Sequence, residues 1–116
     1  MIPPIRANFD ATTGHFPQAT GHYQKTLEDL AGLYYDQDAF AALLQEWKGR
    51  FVYEVWEHRA SKDSGDLVFG TSVMQPGQVG NEFFLTRGHQ HLLADRAETY
   101  YCLSGSGLVL MESPAG

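Results

Sequence analysis

The residues best suited to chemistry lie in one run, TRGHQHLLADRAETYYCLSGSG, at positions 86–107. It holds His89 and His91 two apart, Glu98 seven positions after the second histidine, and the turn Gly105-Ser106-Gly107 with six residues between it and the glutamate. In a strand, residues i and i+2 point to one face, so both imidazoles project together. Ala94-Asp95-Arg96, within LLADRA, permits a hairpin connection that returns Glu98 beside them. Two imidazole nitrogens and one carboxylate converging from neighbouring strands leave coordination positions open for water or substrate. Such a donor set suits Fe2+, Mn2+, Ni2+ or Zn2+. A histidine pair alone is weak evidence, because solvent-facing histidines are common; the glutamate and the glycine turn give the pattern its weight. His15, His22 and His58 have no partner spacing and read as surface or core residues.

The elements that must position these residues follow from composition and periodicity. A chain of 116 residues with 43% hydrophobic and 19% charged residues is expected to form one domain around one core. Residues 1–49 read as an N-terminal arm and helix, and residues 50–116 as a β-strand body. The first thirty-odd residues, with Pro3, Pro4, Gly14, Pro17 and Gly21, have weak periodicity and are expected to run as arms or irregular strands over the surface. In DQDAFAALLQEW, Phe40, Leu43, Leu44 and Trp47 share one helical face, Asp36 or Asp38 can cap the start, and Gly49 follows as a stop. Beyond it come strand-like runs separated by turn signals: FVYEVWEH, then KDSGD as a turn, LVFGTSVM, QPG as a turn or loop, EFFLTRGHQH, ETYYCL and GLVLME. The pattern predicts an all-β antiparallel sandwich or small barrel with one helix in front. ESPAG reads as a turn after a strand, and about five strands leave an edge open, so either a second subunit covers that edge or the sequence is part of a longer chain.

Charge and cysteine use exclude some functions. A net charge of −6 with eight scattered Lys and Arg residues argues against nucleic acid and allows only a small phosphate ligand. The start MIPPIRANFD lacks the pattern of a signal peptide, and no run approaches the roughly 18 apolar residues of a membrane helix, so a cytoplasmic protein without membrane contact is expected. Cys102, in the apolar context TYYCL, is expected to be a buried, inert thiol.

The HxH pair, the spaced glutamate and the following glycine resemble the first motif of the cupins, although cupins usually place the glutamate closer to the histidines. The longer spacing, DRAETYY, and upstream YEVW, GDLVFGTSV, PGQVGNEFF and TRGHQH together resemble the cupin-type glucose-6-phosphate isomerases of archaea and some bacteria. The match runs nearly unbroken from Tyr53 to Gly116 and more loosely through GLYYDQDAF. The resemblance implies an antiparallel jelly-roll barrel, incomplete here, and a divalent metal on His89, His91 and Glu98, Fe2+ foremost. It also implies that Thr71 or Ser72, with Thr86 and Gly88, grips a sugar phosphate, and that Tyr53 and Tyr100 line the pocket. Small phosphates are held by backbone amides and hydroxyls, and Arg87 adds charge nearby. The family's second motif, built around Pro, Gly and a further His, has no counterpart in these residues.

The expected activity is the interconversion of glucose 6-phosphate and fructose 6-phosphate, with the metal as Lewis acid on the C1 and C2 oxygens. Glu98 is the residue expected to move a proton, in addition to or instead of ligating the metal, while a hydride shift stays open. The alternatives are a catalytically silent cupin module that binds metal or sugar phosphate and, third, a cupin dioxygenase. The open edge predicts a homodimer.

Overall fold

The computed structural model describes residues 4, 6–61, 67–91 and 97–113. Three strands, β1 (Gly21–Thr26), β2 (Phe51–Arg59) and β3 (Val68–Met74), form an antiparallel sheet in that spatial order. The long central strand is rich in aromatic and β-branched residues, which favour the half-buried pleated surface it occupies. KDSGD, the turn expected between β2 and β3, lies outside the described residues. A second, two-stranded sheet joins β4 (Gln78–Val79) to β5 (Glu82–Phe83).

Sheet register decides which residues can meet. Across the sheet, Tyr23 stands opposite Val55 and Val55 opposite Ser72, so these three share one row and one face. The neighbouring rows on that face are Gly21, Glu57 and Gly70 on one side and Lys25, Tyr53 and Met74 on the other. The opposite face carries His22, Trp56 and Thr71 in one row, with Gln24, Glu54 and Val73 beside it.

The N-terminal segment covers that opposite face. Thr12 and Thr13 donate backbone N–H to the Asp10 carboxylate, closing a turn. Gly14 follows at a φ of 73° with its backbone against Val73 and Thr71, where an added Cβ would lie 2.7 Å from the Val73 methyl. Phe16 is fully buried edge-on to Phe69 at 5.4 Å, and the His15 ring stands edge-on to Trp56 at 4.7 Å. His22 stacks on the same indole at 3.6 Å and meets the Glu54 carboxylate at 2.5 Å, which also accepts from Gln24. The spacing of the histidines gave no sign of this cluster; the pairing of β1 with β2 creates it.

The main core lies at the start of β2, where both faces are covered. Leu27 and Leu30 from a 3-10 turn (Glu28–Leu30 with its flank), Tyr34, Phe40, Val52, Tyr53, Val79 and Phe84 are buried together there. The helix α1 (Gln37–Glu46) contributes Phe40, with Leu43, Leu44 and Trp47 packed against the cluster, as its spacing predicts. Asp36 is the cap that forms, accepting from the Ala39 N–H at 2.9 Å, and Gly49 has a φ of 75° beyond the helix end.

The all-β class with a single helix holds, and among the described residues the sheets do not close into a barrel. Gly21–Thr26, within the stretch expected to run as arms or irregular strands, is a strand paired with β2 whose register shifts between Lys25 and Thr26. Two details differ from the sequence expectation. Of EFFLTRGHQH only Glu82–Phe83 is strand, and neither 98–103 nor 107–112 forms one. A strand is defined by its ladder, and these runs pair with no neighbour among the described residues, so their composition favours extension without fixing it. For the same reason Cys102 is exposed, not buried, its thiol donating weakly to the Ser104 and Gly105 carbonyls, and Leu108–Met111 face solvent.

Candidate metal centre and its surrounding face

The chain leaves the core at Phe84, whose N–H donates to the Gly77 carbonyl at 2.9 Å and whose ring stands edge-on to Trp47 at 4.9 Å. From that anchor the segment runs past the open face of the sheet, carrying Thr86, Gly88, His89 and His91 in turn. The Arg87 N–H donates to the Tyr53 hydroxyl at 3.4 Å, which ties the segment to β2.

His89, His91 and Glu98 come together as their spacing predicts. Each offers one ligand atom, and these atoms lie within 4.8 Å of one another. The two imidazoles are side by side, 5.4 Å between centroids and 26° between planes, and His91 Nε2 is 3.4 Å from Glu98 Oε2. A metal bound to two donors at about 2.1 Å each requires them to be no more than about 4.2 Å apart, so the widest pair closes by at most about 0.6 Å. His89 and Glu98 are exposed and His91 half-buried, so small torsions can supply that movement. Among the described residues this is the only group of three or more His, Cys, Asp or Glu side chains close enough to hold an ion. The donor set therefore fits a divalent cation and leaves positions open beside it. LLADRA, the expected connection, falls largely outside the described residues.

The expected substrate-gripping residues separate by strand parity. Thr71 is buried and donates its hydroxyl to the Gly14 carbonyl, on the face the N-terminal segment covers. Ser72 is exposed on the opposite, open face. Of these two alternatives it is Ser72 that is free to meet a ligand, because successive residues of a strand point to opposite sides. Thr86 and Gly88 are exposed, and a Cβ added to Gly88 would meet nothing within 4 Å, so its backbone is open to close approach. Tyr53 is buried at the edge of the core with its hydroxyl at Arg87, while Tyr100 is exposed.

Electrostatics link these groups. Partial burial pushes the Tyr100 phenol above its ordinary value, and the adjacent Glu98 carboxylate, accepting its hydrogen bond, pushes it further. Tyr23 is raised by burial first and then by Tyr53 and Glu57. Both phenols are therefore hydrogen-bond donors at neutral pH. Sequence spacing gives no reason to single out Tyr23; only the pairing of β1 with β2 brings it to this face.

A β-rich, cupin-like scaffold that gathers two imidazoles and a carboxylate beside an open sheet face defines the class. A family model described as glucose-6-phosphate isomerase matches residues 24–116, and the chain belongs to that cupin-type family. It is 52% identical over 116 residues to a glucose-6-phosphate isomerase of Sinorhizobium medicae (strain WSM419), a match covering all of this chain and 54% of that protein. Over 113 residues it is 43% identical to a glucose-6-phosphate isomerase of Thermococcus onnurineus and 37% identical to one of Pyrococcus abyssi, covering 97% of this chain and 58% and 59% of theirs. The chain thus spans little more than half the length of the curated relatives it matches.

Proposed function

We propose that this chain carries the metal-binding half of a sugar-phosphate isomerase site and serves the interconversion of glucose 6-phosphate and fructose 6-phosphate. The observation that carries the reading is the convergence of His89, His91 and Glu98 to within 4.8 Å in a chain of this family. Those three residues would hold a divalent ion, Fe2+ foremost, with Mn2+, Ni2+ or Zn2+ as alternatives. When bound, the ion supplies Lewis acidity toward the carbonyl and hydroxyl oxygens of the open-chain sugar.

The chain's own residues do the rest. Ser72, Thr86 and the backbone at Gly88 offer uncommitted donors for a phosphate, and Arg87 adds positive charge. Glu98 stands beside His91 and Tyr100, where its carboxylate can accept a proton from one of C1 and C2 and return it to the other. Solvent deuterium appearing in the product would assign the reaction to this proton transfer; its absence would favour a hydride shift that leaves Glu98 as ligand alone. A phosphorylated, membrane-impermeant substrate suits a cytoplasmic setting. The outer edges of β1 and β3 are unpaired among the described residues, which supports a homodimer, and light scattering that finds a stable monomer refutes it.

The test is turnover and metal content before and after chelation, with Fe2+ or Mn2+ returned afterwards. Activity indifferent to chelation refutes the metal role, and inactivity with metal restored refutes catalysis by this chain alone. The exposed flank from Tyr100 to Met111 favours a second reading, a binding module without turnover. Stabilisation by fructose 6-phosphate in the absence of isomerisation would select it.

A further inference from the structure

The open face of the sheet holds a hydroxyl that neither spacing nor family resemblance picks out. Tyr23 sits on β1, and the register places it in one row with Val55 and Ser72. Adjacent strands lie about 4.8 Å apart, so Tyr23 and Ser72 flank Val55 across roughly 10 Å, a span that an extended sugar phosphate can bridge. Tyr53 lies diagonally next to it on β2, with its hydroxyl occupied by the Arg87 N–H. Tyr23 is close enough to Tyr100 for the two phenols to interact, and Tyr100 in turn hydrogen-bonds Glu98. Tyr23 is 44% exposed and borders the same broad, open face as His89, His91, Glu98 and Ser72, and its hydroxyl has no hydrogen-bond partner among the described residues.

We propose that Tyr23 is a specificity-determining residue that donates a hydrogen bond to a sugar hydroxyl of the substrate, between the metal cluster and the Ser72 end of the face. The inference rests on the sugar-phosphate reading of the site. It follows from position: Glu98 stands beside Tyr100, Tyr100 is near Tyr23, and in the row that Tyr23 shares with Val55 and Ser72, Val55 offers no donor and Tyr23 offers one. Partial burial first, then Tyr53 and Glu57 nearby, favour the neutral phenol, so the group acts as a donor to an alcohol oxygen and carries no charge with which to hold the phosphate.

The experiment is isothermal titration of the full chain, supplied with Mn2+, with fructose 6-phosphate and separately with inorganic phosphate, for wild type and Tyr23→Phe. Loss of one hydrogen bond to a neutral group is expected to weaken fructose 6-phosphate binding roughly three- to tenfold and leave phosphate binding unchanged. The ratio of the two affinities is the readout, because a partly unfolded variant lowers both together, and an unchanged melting temperature confirms the fold. Equal affinities in wild type and Tyr23→Phe overturn the proposal while the site reading stands. Parallel loss toward both ligands in a variant of unchanged melting temperature overturns the assignment to a sugar hydroxyl. A wild-type chain that binds neither ligand overturns the site reading and this proposal with it.

Discussion

Replacing Gly77 by alanine tests how the segment that carries His89 and His91 is held. At Gly77 an added Cβ would lie 2.3 Å from Phe84 Cε2, 2.6 Å from Cζ and 2.7 Å from Cδ2. Ordinary contact begins near 3.4 Å, so the ring must retreat by about 1 Å. Phe84 has little room to do so, being 6% exposed, edge-on to Trp47 and packed in the cluster that contains Val52, Tyr53 and Val79. Overpacking of this kind costs about 1–3 kcal/mol. In a domain of this size that is a fall in melting temperature of roughly 5 to 15 °C. Phe84 is also the last core residue before Thr86, Gly88, His89 and His91, so its displacement should loosen the ligand cluster and weaken Mn2+ binding. Gly88→Ala is the matched comparison: its Cβ meets nothing within 4 Å, so thermal stability should be unchanged while phosphate binding, which needs close approach of that backbone, weakens. Thermal denaturation followed by far-ultraviolet circular dichroism, with metal titration of both variants, checks the pair. Gly77→Ala melting with wild type would refute the claim that Phe84 anchors the segment.

Asp36→Ala removes the side chain that caps α1 and should cost about 1 kcal/mol, read from urea denaturation, with no change in metal affinity because Asp36 is no part of the His89, His91 and Glu98 cluster. Asp29 accepts from the Thr26 N–H at 2.8 Å, and this hydrogen bond, the largest cause, holds its carboxyl below the usual 3.8. A depressed folded value means that the stabilisation is present above the unfolded value and is lost as pH falls through the folded one. Asp29→Asn should therefore be less stable than wild type at pH 6, with the gap shrinking below pH 3.8. Cys102 is exposed, so one thiol equivalent should react with a disulfide reagent in the native protein; reaction only after denaturant would show that the segment is covered.

What was legible in the sequence was what is local. The helix announces itself because Phe40, Leu43, Leu44 and Trp47 repeat at its own period and Asp36 caps it three residues from Ala39. The ligand triple is legible because all its members fall within ten residues. What depends on a partner strand was not legible. β1, GHYQKT, has polar residues on both faces, and only its pairing with β2 makes it a strand. ETYYCL and GLVLME have strand composition without a ladder. The choice between Thr71 and Ser72 is one of parity, which a one-residue change of register would invert. Tyr23 has no signal at all in its own neighbourhood, because its relevance comes from Val55, Ser72 and Tyr100.

The same division separates the two tasks of the site by chain topology. His89 and Glu98 are nine residues apart, so bringing them together closes a short loop, whereas Tyr23 and Ser72 are forty-nine apart and meet only through β2. With closure entropy growing as the logarithm of loop length, the longer closure costs roughly 1.4 kcal/mol more before any contact repays it. On the proposed function, metal capture would be a low-contact-order event within reach of a nascent or partly folded chain, whereas sugar recognition would be a high-contact-order event that waits for the whole sheet. A protein built this way would acquire its ion before its selectivity.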